Sequence, residues 1–89
     1  MACYIVMFEL KDPARRPALR DALRALPGFC PLTATAWAIT SDKKAKEIRD
    51  ELAGVLGPGD RLFVIKSGTE AAWRNSYGEK HNEWLKKHL

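Results

Sequence analysis

Apolar residues in this chain recur first at a spacing of two, then at three and four, and the alternation is repeated. From Cys3 to Leu10 both alternating faces are β-branched, aromatic or aliphatic: Tyr4, Val6 and Phe8 on one, Ile5 and Met7 with Glu9 on the other. That pattern predicts a strand covered on both sides. Asp12-Pro13 is a helix-start signal, and Pro17 delays the regular helix by a turn. Leu19, Ala22, Leu23 and Leu26 then recur at helical spacing until Pro27-Gly28 stops the run.

Phe29 to Thr40 has the length of two short strands, one over 29–34 and one over 35–40. Pro31 makes the first an edge strand, because proline cannot donate to a ladder; the second, with Trp37 and Ile39, reads as central. Ser41-Asp42 is the expected N-cap of a second helix. Its apolar stripe is Ala45, Ile48, Leu52 and Leu56, with Lys43–Glu47 and Lys46–Asp50 pairs outside. Gly57-Pro58-Gly59-Asp60 ends that helix in a turn, and Leu62 to Ile65 form the last strand. Ser67 to Ser76 reads as irregular or as a short extra strand; Tyr77, His81, Trp84, Leu85 and His88 fall on one face of a C-terminal helix.

The order β-α-β-β-α-β predicts an α+β ferredoxin-like domain over residues 1–89, with 67–89 as a C-terminal extension. In that arrangement both helices pack on one sheet face. The other face is then apolar whatever the register, and an open patch of that kind needs a cover. A second copy packed sheet to sheet is the favoured cover and the C-terminal helix its rival, so a homodimer is expected.

With 46% hydrophobic and 29% charged residues the chain has the composition of an ordinary globular domain. Its longest apolar runs are far short of the roughly 20 residues a membrane helix needs. The first residues lack a basic flank and a signal-like cleavage site, so a cytoplasmic location is expected. Cys3 and Cys30 form neither a CxxC pair nor a disulfide framework and read as buried thiols. The formal charge of +4 is uneven: Lys11, Arg15, Arg16, Arg20 and Arg24 face only Asp12 and Asp21 over residues 11–24, a net of +3. Such a segment is compatible with a polyanionic partner.

Familiar hydrolase, transferase and dinucleotide motifs are missing, and the two histidines, seven apart, lack zinc-ligand spacing. Both read as packing or fraying positions. Arg16, Arg20 and Arg24 stand at i, i+4 and i+8, one ridge on the first helix. Like charges so spaced cost about 0.2–0.5 kcal/mol per pair, which a bound phosphate backbone would relieve; a solvated face is the alternative. Glu9 is the single carboxylate of the first strand. At a strand end it is either solvated or paired with a nearby lysine, or, in a two-fold dimer, one of two glutamates sharing a hard divalent ion. Trp37, Trp73 and Trp84 read as core or interface rather than as stacking platforms.

Phe8-Glu9-Leu10 at the strand end, Arg15-Arg16, the Trp37 strand, Asp60-Arg61-Leu62 and Ala71-Ala72-Trp73 together resemble the small SinR-like proteins. These share a ferredoxin-like superfamily with the second CRISPR-associated protein and a virulence-associated endoribonuclease. The resemblance covers nearly the whole chain and implies a homodimer. It implies, for some members, a metal-dependent nuclease whose strand-end aspartates meet across the dimer axis, and for others a DNA-bridging scaffold. The aspartate position falls on Glu9, a departure, and Pro17 interrupts the helix after the double arginine.

The leading expectation is therefore a nucleic-acid-associated homodimer. Glu9 is its candidate metal ligand and catalytic group, Mg2+ its implied ion, and Arg15, Arg16, Arg20 and Arg24 its contacts to RNA or DNA. The alternatives are a non-catalytic scaffold that binds another protein through the dimer and its C-terminal helix, and small-ligand binding in the dimer cleft.

Overall fold

The computed structural model describes residues 1–68 and 70–89. Its elements run β1 (Ala2–Glu9), a 3-10 turn (Pro13–Arg15), α1 (Arg16–Arg24), β2 (Gly28–Thr33), β3 (Ala36–Ser41), α2 (Ala45–Ala53), β4 (Arg61–Lys66) and α3 (Glu79–His88). The strands form one sheet in the order β2-β3-β1-β4, every neighbouring pair antiparallel. This is the ferredoxin-like α+β fold: each helix crosses between two parallel strands that hold an antiparallel one between them.

Local signals account for most boundaries. The Asp12 carboxylate accepts from the Ala14 N–H at 2.9 Å, and Pro13 opens a 3-10 turn that hands over to α1 at Arg16. β2 carries Pro31 and lies at the sheet edge, where a missing donor costs nothing. The second helix departs from expectation. Ser41 stays in β3, its hydroxyl accepting from the Lys43 N–H, and the helix starts after Lys44, whose N–H donates to Glu47 Oε1 at 3.0 Å. The ion pairs also differ: Lys43 reaches Glu51 at 2.8 Å and Arg49 reaches Asp50, in place of the i,i+4 partners. Ser67 to Ser76 contains neither helix nor strand among its described residues; Thr69 lies outside them.

The main core lies between the sheet and the first two helices. Tyr4, Val6 and Phe8 pair across β1 with Ile39, Trp37 and Leu62, and meet Leu19 and Leu23 of α1 and Ile48 and Leu52 of α2. Val6, Leu19, Leu23, Ile39 and Ile48 are all fully buried, each contributing about 1.5–3 kcal/mol relative to exposure.

The opposite sheet face is divided. Leu85 of α3 is buried against Cys3, Cys30 and Ala38, with Trp84 and Leu89 at the margin. Over the β1–β4 half no described residue gives such a cover: Met7, Phe63 and Ile65 are 40%, 59% and 49% exposed. Of the two covers weighed from the sequence, the helix takes one half of the face. No helix of the structure is long and apolar enough to cross a membrane.

Candidate functional site

One rim of the sheet gathers the C-terminal end of β1, the β2–β3 turn and the start of β4, because Met7 pairs with Ala36 and Glu9 with Arg61. Every candidate side chain from the sequence lies at this rim or on the helix that rises from it.

Glu9 points to the partly open sheet face, beside Met7 and Phe63. Its Oε1 accepts from Arg61 Nη1 at 3.0 Å, both side chains 71% exposed. The partner is thus an arginine on the neighbouring strand rather than a lysine. Magnesium takes near-octahedral oxygen ligands and usually one or two carboxylates. A single glutamate already held by a guanidinium does not fit that need, and no cluster of three His, Cys, Asp or Glu gathers elsewhere among the described residues. A fit would require Arg61 to move away and a second carboxylate to arrive from another copy.

The four arginines do not act as a set. Arg15 turns inward to Asp60, Nη1 to Oδ2 at 3.3 Å. Asp60, whose side chain is fully hidden, also accepts from the N–H of Gly57 at 2.9 Å and of Lys11 at 2.8 Å. Those amide bonds first, and the Arg15 charge after them, hold its carboxyl below the usual aspartate range. This cluster ties the β1–α1 connection to the α2–β4 connection. Two glycines make room: a Cβ on Gly57 would meet the Arg15 guanidinium, and Gly59 has a φ of +84°. Arg15 is therefore a structural latch.

Arg16, Arg20 and Arg24 do form a ridge, lining a cleft of about 320 Å³ with Pro13, Pro17 and Asp21. Arg16 also donates to the Ala34 carbonyl in the β2–β3 turn, which fixes its guanidinium. Among the described residues none of the three makes an ion pair. Arg16 and Arg20 continue into a second cleft of about 370 Å³ around the β2 edge. Pro31, Thr33 and Trp37 line it as well, and so do Tyr77 and His81, which belong to the α3 side of the sheet while the arginines belong to the α1 side. Among the described residues no carboxylate lines this second cleft.

Glu9 and the ridge therefore lie on opposite faces of the sheet, since Phe8 and Val6 face α1 while Glu9 shares the other side with Phe63. Within one chain they do not compose a single site. Tyr77 and His81 were not foreseen beside the arginines. Their i,i+4 spacing predicted a shared helix face, but α3 begins only at Glu79, after a Gly78 N-cap, so Tyr77 lies in the chain before the helix and the path of that chain brings it to the β2 edge beside His81. Arg61 was findable, because β4 must flank β1 in this topology and its first residue then meets the last of β1.

Comparison with known proteins gives the fold and no more. No family model and no curated protein matches the chain. It is similar to the crystal structure of a hypothetical protein from Thermus thermophilus, with a TM-score of 0.68 and 17% identity over 83% of this chain and 90% of that one. At such identity the likeness establishes the ferredoxin-like architecture alone.

Proposed function

We infer that this protein is a nucleic-acid-associated homodimer that binds RNA or DNA through the Arg16–Arg20–Arg24 ridge and does not cut it. The observation that carries the reading is the ridge itself. Three arginines share one helix face without an ion pair among the described residues, while Arg15, Arg49 and Arg61 are each satisfied by a carboxylate. Like charges at helical spacing repel by about 0.2–0.5 kcal/mol per pair, and bound phosphates relieve that cost with release of counterions.

The dimer rests on the open β1–β4 face. Met7, Phe63 and Ile65 form an apolar patch that ends in both a carboxylate and a guanidinium, Glu9 and Arg61. A patch carrying both signs is self-complementary about a two-fold axis, as a second copy requires. The same ion pair argues for binding over catalysis: the Arg61 charge occupies the place a divalent cation would need.

The test is titration of labelled single- and double-stranded RNA and DNA with wild type, Arg20→Ala and Arg24→Ala, run with magnesium or manganese and with chelator. Binding that weakens in both variants, with a salt slope lowered by about one per arginine and no cleavage, is expected. Metal-dependent cleavage lost in Glu9→Ala would establish a nuclease instead. Absence of binding to all four probes would leave the protein-scaffold reading.

A further inference from the structure

We propose that the cleft at the β2 edge is a seat for one unpaired nucleotide, its phosphate on Arg16 and Arg20 and its base against Tyr77 and His81. The inference rests on the nucleic-acid reading above and names what the ridge leads to.

Three observations carry it. The first is the division of the cleft walls by chemistry. α1 with its arginines packs on one face of the sheet and α3 with His81 on the other, so Arg16 and Arg20 meet the cleft from one face and the Tyr77–His81 pair from the other, with no carboxylate among the described lining residues. A ligand matching both walls has an anionic end and a flat π-system, which is the constitution of a nucleotide. The second is preorganisation. Arg16 is already clamped on the Ala34 carbonyl, and Tyr77 stands edge-on to His81 with ring centres 5.8 Å apart. Arg16 and the Tyr77–His81 pair are thus held before a ligand arrives, yet Tyr77 is 59% exposed, a large aromatic surface left in water.

The third is size. At about 370 Å³ the cleft lies near the lower limit of small-molecule sites, which run from about 300 to 1,000 Å³. That holds one nucleotide and not two stacked ones. Neighbouring phosphates of the same strand then have the Arg20–Arg24 continuation of the ridge, where successive arginines rise about 6 Å along the helix. A paired base is ruled out, because its π-face is covered by its neighbours in the stack. Thr33 also lines the cleft, its Oγ1 accepting from the Thr35 N–H at 3.2 Å and leaving the hydroxyl proton to donate.

The ligand chemistry can come from a free nucleoside monophosphate or from an unpaired position in a strand. Fluorescence anisotropy with labelled oligo-dT of twelve nucleotides and a duplex of equal length separates these, with unlabelled thymidine monophosphate and a glutamate dodecapeptide as competitors. Wild type, Tyr77→Ala, Tyr77→Phe and Arg20→Ala are compared after circular dichroism confirms their folding. Loss of one stacking contact weakens oligo-dT binding by about tenfold in Tyr77→Ala, with Tyr77→Phe near wild type and duplex binding unchanged. Arg20→Ala weakens both probes. Competition by the mononucleotide at concentrations comparable to the oligonucleotide assigns a free-nucleotide site, and weak competition assigns the strand.

Equal loss of duplex and single-strand binding in Tyr77→Ala, or no loss in either, overturns the seat while leaving the arginine ridge as a nucleic-acid surface. Competition by the acidic peptide equal to that of oligo-dT overturns the seat in favour of a protein partner. No binding to any nucleic-acid probe defeats the underlying reading as well.

Discussion

Arg61 and Glu9 face each other across the β4–β1 pairing, guanidinium to carboxylate at 3.0 Å, at the end of an exposed apolar patch. The pair neutralises the one carboxylate of β1 and sets both signs of charge beside Met7 and Phe63. In a single chain it is a surface pair, 71% exposed on both sides, and such pairs are typically worth about 0.2–1 kcal/mol. Arg61→Ala and Glu9→Ala should therefore each shift monomer stability in urea by no more than that. In the proposed dimer, which covers this face, the loss should be larger and should grow with dilution; a small loss independent of concentration would place the pair outside the interface.

The open β1–β4 face gives a sharper test. Phe63 is 59% exposed, so Phe63→Glu removes no core packing and leaves the fold intact. Sedimentation should show a dimer for wild type and a monomer for this variant, with unchanged circular dichroism. A wild-type monomer at tens of micromolar would remove the homodimer and leave the patch for a different partner.

Asp60 gives the chain its clearest acid dependence. Its carboxyl is held below the ordinary value of 3.8, first by the Gly57 and Lys11 N–H groups and then by Arg15. A carboxylate whose folded value is depressed stabilises the fold above its unfolded value and loses that contribution as pH falls through the folded one. Asp60→Asn should thus melt below wild type at pH 7, and the gap should close as pH drops below about 4. Asp12→Asn, whose partner is a single N–H at a solvent-exposed turn, should show a smaller gap at pH 7. Equal gaps in the two variants would mean that Asp60 is not the latch.

Most of the fold was legible because its signals are local. Asp12-Pro13, Pro27-Gly28 and Gly57–Asp60 interrupt periodic runs, and Pro31 fixed β2 at the edge before any pairing was known. The second helix start was misplaced because Ser41 competes for the strand: its register with Ala2 keeps it in β3, and its hydroxyl caps a turn instead. The site was less legible, because its contacts join residues far apart in the chain. Arg15 and Arg16 are adjacent and chemically alike, yet one is drawn to a hidden aspartate and the other to a turn carbonyl. Nothing in their spacing separates a latch from a ligand. Tyr77 and His81 are likewise read as helix positions until the chain after β4 is seen to return to the far edge of the sheet.

The docking of α3 makes a prediction that concerns the two thiols. Cys3 and Cys30 are buried on the sheet face that Leu85 covers, and desolvation raises both above the ordinary thiol value of 9.0, for Cys30 with a contribution from Cys3. The thiolate is the reactive species, so burial and a raised value both slow modification. Native protein at pH 8 should react with a disulfide reagent only at the rate of opening. Leu85 is fully buried, and truncation of such a leucine costs about 2–5 kcal/mol. If α3 opens as a local unit, Leu85→Ala should speed the labelling of both cysteines by orders of magnitude while the α1–α2 core stays folded by circular dichroism. Labelling that accelerates only with global unfolding would show instead that α3 and the two-helix core form one cooperative unit.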